Sequence, residues 1–193
     1  STDAFIKDLE TGEIVRVSTD STGMSNGGGW AIGMSADGTK VLFDSMSADL
    51  VADDTNGTRD SFVKDTITGQ TVRVSVNKDG EQTNQHNEAY AISADGTKVI
   101  FDNIADNLVA GDTNGTYDEF VKDLTTGVVT RISVNSTGVG GDNSSYSPAF
   151  SPDGKQVVFA SDASNLVTGD NNASSDIFVT TIPVSYGIDT VKA

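Results

Sequence analysis

Asp60-Ser61-Phe62-Val63-Lys64-Asp65 is one copy of a segment that also stands, little changed, as Asp3-Ala4-Phe5-Ile6-Lys7-Asp8 and as Asp118-Glu119-Phe120-Val121-Lys122-Asp123. A looser copy is Asp176-Ile177-Phe178-Val179. The intervals are 60 − 3 = 57, 118 − 60 = 58 and 176 − 118 = 58 residues. A fixed period of this size marks tandem structural units and changes the meaning of every shorter motif inside it. After each copy comes a Thr-Gly turn (Thr11-Gly12, Thr68-Gly69, Thr126-Gly127), then Arg16-Val17-Ser18, Arg73-Val74-Ser75 or Arg131-Ile132-Ser133. A variable stretch rich in Gly and Asn leads to Ser35-Ala36-Asp37-Gly38, Ser93-Ala94-Asp95-Gly96 and Ser151-Pro152-Asp153-Gly154, each followed by an apolar run ending in Phe43, Phe101 or Phe159. The unit closes on Asp54-Thr55-Asn56-Gly57, Asp112-Thr113-Asn114-Gly115 and Asp170-Asn171-Asn172-Ala173.

Nothing in this unit has a helical period. Its apolar stretches are short, favour Val, Ile, Phe and Thr, and are bounded by Asp-Gly and Thr-Gly signals, as strands are. Each period predicts four strands: A (30–34, 88–92, 146–150), B (40–44, 98–102, 156–160), C from each repeated Asp-x-Phe, and D around each repeated Arg. A–B and C–D read as hairpins, the former on two-residue Asp-Gly turns of type I′, and a long acidic loop joins B to C. All eight Phe fall on strand positions, four in C, three in B and Phe150 in A, and are expected in the core. The fold class is all-β, with tandem four-stranded antiparallel blades of a β-propeller and a sandwich as runner-up. The blades divide residues 1–182 into a partial blade 3–18, full blades 30–76 and 88–134, and a partial blade 146–182, with 183–193 as tail or linker.

Ser151-Pro152-Asp153-Gly154-Lys155-Gln156-Val157-Val158-Phe159 followed by Asp176-Ile177-Phe178-Val179 resembles the TolB-like propeller repeats, over roughly residues 3 to 182. The resemblance implies propeller architecture in a secreted, cell-surface or periplasmic bacterial protein, and allows that the blades accompany a larger hydrolase or polysaccharide lyase. Two departures stand out: the period is longer than the family's, with the surplus in the B–C loop, and only two blades are complete. Propellers close with about four to eight blades. A longer array, self-association with a second copy, and an open arc with protected edges are the three ways to satisfy that rule.

Composition narrows the chemistry. With 28 acidic and 12 basic residues the formal charge is −16, which opposes contact with phosphate backbones and anionic lipid, so no nucleic acid partner is expected. No apolar run approaches the roughly 18 residues of a membrane helix, so no membrane insertion is expected. The absence of Cys removes disulfides, thiol nucleophiles and Cys-type zinc sites. His86 is the single His and sits in the variable stretch as a loop residue, with no second His for a zinc site and no Gly-x-Ser-x-Gly elbow for a Ser-His-Asp relay. Gly27-Gly28-Gly29 lacks the Lys-Ser/Thr of a phosphate loop. No catalytic residue is expected.

Of the acidic residues 23 are Asp and 5 Glu, a skew toward turns, caps or metal. The B–C loops repeat Asp-x-Asn-Gly-x-x-Asp: Asp54, Asn56, Thr58 and Asp60; Asp112, Asn114, Thr116 and Asp118; Asp170, Asn172, Ser174 and Asp176. Alternate positions of a tight loop aim oxygens at one centre, and calcium takes six to eight of them, so Ca2+ is the cofactor expected. Gly57 and Gly115 supply the bend, and Ala173 breaks it in the third copy. The plainer reading is turn chemistry, in which Asp and Asn bond their own backbone. Arg16, Arg73 and Arg131 read as outer-edge charges that discourage strand addition, and Asp8, Asp44, Asp65, Asp102 and Asp123 as solvated edge residues. Trp30, Glu88 and Tyr146 share one register at the start of strand A. The function expected is a non-catalytic, calcium-stabilised binding or scaffold module with a protein or glycan partner.

Overall fold

The computed structural model describes residues 2–25 and 27–183. The expected tail 183–193 lies, from 184 on, outside the described residues. Thirteen strands run in chain order: β1 Phe5–Lys7, β2 Ile14–Arg16, β3 Trp30–Met34, β4 Lys40–Ser45, β5 Asp60–Asp65, β6 Thr71–Arg73, β7 Asn87–Ile92, β8 Lys98–Asn103, β9 Asp118–Asp123, β10 Val129–Arg131, β11 Ser145–Phe150, β12 Gln156–Ser161 and β13 Asp176–Thr181. They form sheets β1-β2, β3-β4-β5-β6, β7-β8-β9-β10 and β11-β12-β13, antiparallel throughout. The predicted A, B, C and D strands are therefore present, two sheets being complete blades and, among the described residues, the outer two partial.

The hydrophobic core lies between blades. Leu42, Val63 and Val74 of one sheet meet Val99, Phe101 and Phe120 of the next, and Ile100, Val121 and Ile132 of that sheet meet Val157 and Phe159 of the one after. A central blade is thus covered on both faces, which explains why strand B reads as unbroken apolar runs (Val41-Leu42-Phe43, Val99-Ile100-Phe101) instead of alternating. Phe43 stacks on Phe62 across β4 and β5 with centroids 5.6 Å apart; Phe101–Phe120 and Phe159–Phe178 repeat the pair at 5.7 and 5.6 Å.

Two expectations fail here. Phe5 is 55% exposed, because no B strand lies beside β1 among the described residues to stack on it. The A–B turn is also not a two-residue type I′. Ser35 N donates to Lys40 O and Gly38 N to Ser35 O, and Gly38 alone among the turn's residues has positive φ, at 71°. A type I turn followed by a left-handed glycine therefore closes a four-residue loop, and Asp37 holds it by accepting from Ser35 Oγ and Thr39 N. Among the described residues nothing covers the outward face of β13: Val63 and Val121 are each 3% exposed, whereas the corresponding Val179 is 65% exposed.

Phe101→Ala should lower unfolding free energy by about 3–5 kcal/mol, as truncation of a fully buried Phe does, and Phe5→Ala by about 0.5 kcal/mol or less, as at an open surface. Urea denaturation of the two variants checks the contrast; equal losses would mean that β1 is covered.

Candidate functional site

The B–C loops fold on side-chain bonds that their sequence dictates. In the second loop Asn114 Oδ1 accepts from Thr116 N at 3.2 Å, a local turn that bends the chain at Gly115. Asn114 Nδ2 donates to Asp118 Oδ2 at 2.9 Å and to Gly141 O at 2.8 Å, tying the loop to the D–A connection. Asp118, fully buried, accepts from Ser133 Oγ at 2.6 Å. The first loop repeats this: Asn56 Oδ1 accepts from Thr58 N, Asn56 Nδ2 donates to Thr83 O at 3.2 Å, and Asp60 accepts from Ser75 Oγ. In the third, Asn172 Oδ1 accepts from Ser174 N at 2.9 Å and Asn172 Nδ2 donates to Asp176 Oδ2 at 3.1 Å. Ala173 does not break the bend. It adopts φ 54° where Gly57 and Gly115 adopt 67°, a left-handed conformation that L-residues take at some cost.

What fills the centre of the first two loops is a guanidinium. Arg131 reaches in from β10, with Nη1 3.2 Å from Asp112 Oδ1 and Nη2 2.7 Å from Asp118 Oδ2. Arg73 reaches in from β6 to 3.8 Å from Asp54 and also donates to Gln82 Oε1. Their side chains are 7–8% exposed, so the reading of these residues as outer-edge charges is corrected: strand D is only three residues long, and its last side chain points back into the loop. Burial pushes the carboxyls of Asp54, Asp60, Asp112 and Asp118 up, and the arginines oppose that rise. The donor set at these two loops does not fit a calcium ion. A divalent cation would sit against a guanidinium within a few ångströms, and both Asn side chains already use their oxygen on the backbone. Among the described residues, the third loop has no cation between Asp170 and Asp176.

A second buried cation recurs that the sequence reading passed over, although its repetition was the available signal. Lys64 Nζ donates to Asp20 O at 2.7 Å and Thr19 Oγ1 at 3.0 Å, and Lys122 Nζ to Val76 O at 2.8 Å. Strands β5 and β9 are thereby each tied to the D–A connection of the preceding blade. Asp65 and Asp123, expected as solvated edge residues, cap the C–D turn by accepting from Thr68 N at 2.8 Å and Thr126 N at 2.9 Å.

Between the blades, on the face opposite the Phe stacks, acids are buried, Asp102 and Glu119 among them, beside a half-exposed Glu88. Glu88, Asp102 and Glu119 stand directly opposite one another across β7, β8 and β9. Asp102 Oδ2 accepts from Tyr90 Oη at 3.0 Å; its Oδ1 and both carboxyl oxygens of the fully buried Glu119 have no hydrogen-bond partner among the described residues. Burial first, then Asp102 and Asp118 beside it, push Glu119 up to about 9, and burial pushes Asp102 up to about 7. Asp44 rises to about 6 for the same reason, although Ser61 Oγ donates to it. Asp44 and Asp102 are therefore buried acids and not solvated ends. At the strand-A ends Trp30, 44% exposed, lies 5.9 Å from the Arg59 guanidinium, which also reaches Glu88 at 3.3 Å and donates from Nε to His86 Nε2 at 3.0 Å.

Blades of this build are found in solved structures. The tricorn protease matches with a TM-score of 0.56 and 16% identity, over 93% of this chain and 15% of that one. A putative TolB from Agrobacterium tumefaciens matches with a TM-score of 0.52 and 14% identity, over 93% of this chain and 57% of that one. The fold is that of TolB-type propeller blades. A TolB from Acinetobacter baumannii is also matched, at 0.46 and 20% identity, over 85% of this chain and 35% of that one. The chain spans less than two-thirds of each of these proteins, and at these identities the likeness concerns the fold. No family model and no curated protein matches the sequence.

Arg131→Ala leaves two buried carboxylates uncompensated and should cost about 3–5 kcal/mol. Arg73→Ala should cost less, because its one loop carboxylate stands farther off; chemical denaturation of both variants ranks them. The acid row sets a pH dependence. Glu119 holds its proton more tightly folded than unfolded, so its stabilisation is complete below its unfolded value near 4.5 and drains away as pH rises toward 9. The buried Lys122, pushed down to about 8, acts in the opposite sense only above that pH. The melting temperature should thus fall between about pH 5 and about pH 8, and Glu119→Gln should flatten the curve; an unchanged slope in that variant would place the titration elsewhere.

Proposed function

We propose that the chain is a non-catalytic binding scaffold, part of a propeller in an exported bacterial protein, and that its ligand face is formed by the ends of strand A. One observation carries this reading. Where most positions of the repeat are kept, one register position at the start of strand A holds an exposed Trp30, an exposed Glu88 and a half-buried Tyr146, and the position preceding strand C holds Arg59, Tyr117 and Ser175. A largely constant frame that varies at an accessible rim is one way in which a repeat fold carries a specific surface. Aromatic and Arg side chains are the groups that contribute most at binding surfaces. Trp30 beside Arg59 suits a ligand with a flat apolar face and an anionic group, an acidic glycan or peptide.

Binding of a ligand should quench or shift the emission of the single Trp, and Trp30→Ala, followed by calorimetry because it removes that probe, should weaken affinity by roughly tenfold or more, as should Arg59→Ala. Affinity that survives both substitutions would overturn the reading. On calcium, we propose that arginine stands in its place in the first two loops and that the third, where Asp170 and Asp176 are the only carboxylates of the motif, is too poor in ligands to hold it. Calcium should then raise the melting temperature no more than magnesium does. A calcium-specific rise of several degrees, lost in Asp170→Ala, would restore the third loop as a metal site.

A further inference from the structure

Asp102 and Glu119 stand opposite each other on β8 and β9, on the side of the second blade that the third blade covers. Residues opposed in this way carry their side chains on one face, with Cβ atoms about 5 Å apart. Both are buried, Glu119 completely, and Asp102 Oδ1 and both carboxyl oxygens of Glu119 have no hydrogen-bond partner among the described residues. The third blade offers them no donor: Ser145 Oγ donates to Ser161 Oγ, Ser161 Oγ to Ser144 O, and Ser145 N to Tyr117 O. No cation is at hand either. Arg131 is engaged by Asp112 and Asp118, Arg59 lies against Glu88 and His86, and Lys122 Nζ donates to Val76 O toward the preceding blade. The other groups that bear on the pair are Tyr90, whose hydroxyl donates to Asp102 Oδ2, and the carboxyls of Asp118, Glu88 and Asp44.

The first seam is built differently at the same register. Asp44 holds the place of Asp102, and Ser61, in the place of Glu119, donates its Oγ to Asp44 Oδ1 while Arg59 Nε stands 4.0 Å from Asp44 Oδ2. That seam closes around one carboxyl with a donor and a cation beside it; the second closes around two with Tyr90 as their one donor. Two adjacent carboxyls cannot both ionise in a dry space, so a proton is what lies between them, one carboxyl donating to the other.

We propose that the seam between the second and third blades is latched by a proton held between Asp102 and Glu119, and that release of this proton loosens that seam while the first stays closed. Once both carboxyls are charged, their repulsion is relieved only by water, and water enters only if the blades part. Burial pushes Glu119 up to about 9 in the closed seam, and in a wetted one it returns toward its ordinary value, so opening releases one proton over the whole interval between. Opening is therefore favoured by up to about tenfold for each unit of rising pH in that interval. At the first seam the corresponding change is complete once pH exceeds the value of about 6 to which Asp44 is raised. Lys122, pushed down to about 8, bears on the tie to the first blade only above that pH. The latch does not depend on the ligand face at the strand-A ends.

The chain has no Cys, so one introduced thiol reports on one seam. Ala105 and Ala163 hold equivalent positions (163 − 105 = 58) and are buried in the cores of the first and second seam respectively. The whole chain carrying Ala105→Cys or Ala163→Cys is treated with a thiol reagent, and each rate is divided by that of the denatured chain at the same pH, which cancels the thiolate fraction. From about pH 7 to about pH 8 the ratio should rise roughly tenfold for Ala163→Cys and less than about twofold for Ala105→Cys. Adding Glu119→Gln, whose amide donates at any pH, should abolish the rise; Asp102→Asn is the second variant and should do the same from the other strand. A flat response at Ala163→Cys, an equal rise at both seams, or a rise that survives both substitutions would overturn the proposal. Protection of the Ala163→Cys thiol at pH 8 by millimolar calcium or magnesium would assign the acids to a metal cation and overturn it as well.

Discussion

Phe43 on Phe62, Phe101 on Phe120 and Phe159 on Phe178 each present a flat aromatic layer toward the preceding sheet, and that sheet's other face supplies the aliphatic side chains that cover it. Blade burying blade is the constraint on which the remainder depends. It makes the strands apolar on both sides and pushes turns, caps and charges to the strand ends. It also makes stability a property of neighbouring pairs and not of single sheets. A blade without a neighbour shows the cost at once, in Ile177 and Val179 on one end and Phe5, Ile14 and Val15 on the other.

The polar interior follows from the same geometry. Long B–C loops returning to the sheet bring two aspartates together, and on a chain of net charge −16 this would repel unless a cation intervened. Arg73 and Arg131 intervene from within the blade, while Lys64 and Lys122 tie each blade to its predecessor through carbonyl and hydroxyl oxygens. Two kinds of buried cation thus hold two kinds of connection, one within a repeat and one between repeats. Removing either strands polar atoms away from water, which is costly.

The period in the sequence located the strands to within about a residue, because Asp-Gly and Thr-Gly punctuation and short β-branched runs are local signals. It could not show direction. Arg131 occupies an edge strand, where a charge ordinarily faces water, and only the fold reveals that the aspartate 19 residues earlier lies beneath it (131 − 112 = 19). The Asp-x-Asn-Gly-x-x-Asp spacing attracts a metal reading for the reason that makes it attract arginine: converging carboxylates call for positive charge, and the motif does not say whose. Phe5 was misplaced by the same logic, since its register is right and its partner strand is what is lacking. Glu119 left no trace in the pattern, being one of several residues tolerated at a position where the neighbouring repeats carry Ser61 and Ile177.

That last difference bears on how the array assembles. Tandem units this alike can dock out of order while folding, since the apolar faces of one blade would fit any other. At the first interface Ser61 accepts from Asn87, which accepts in turn from Asn103; at the second, Glu119 is set against a sheet whose corresponding residue is Ser145, bonded to Ser161. Seating the third blade on the first would leave Ser61 without the Asn87 amide, since Ser145 stands in that place. The two seams are thus chemically distinct, a difference that works against blades docking out of order.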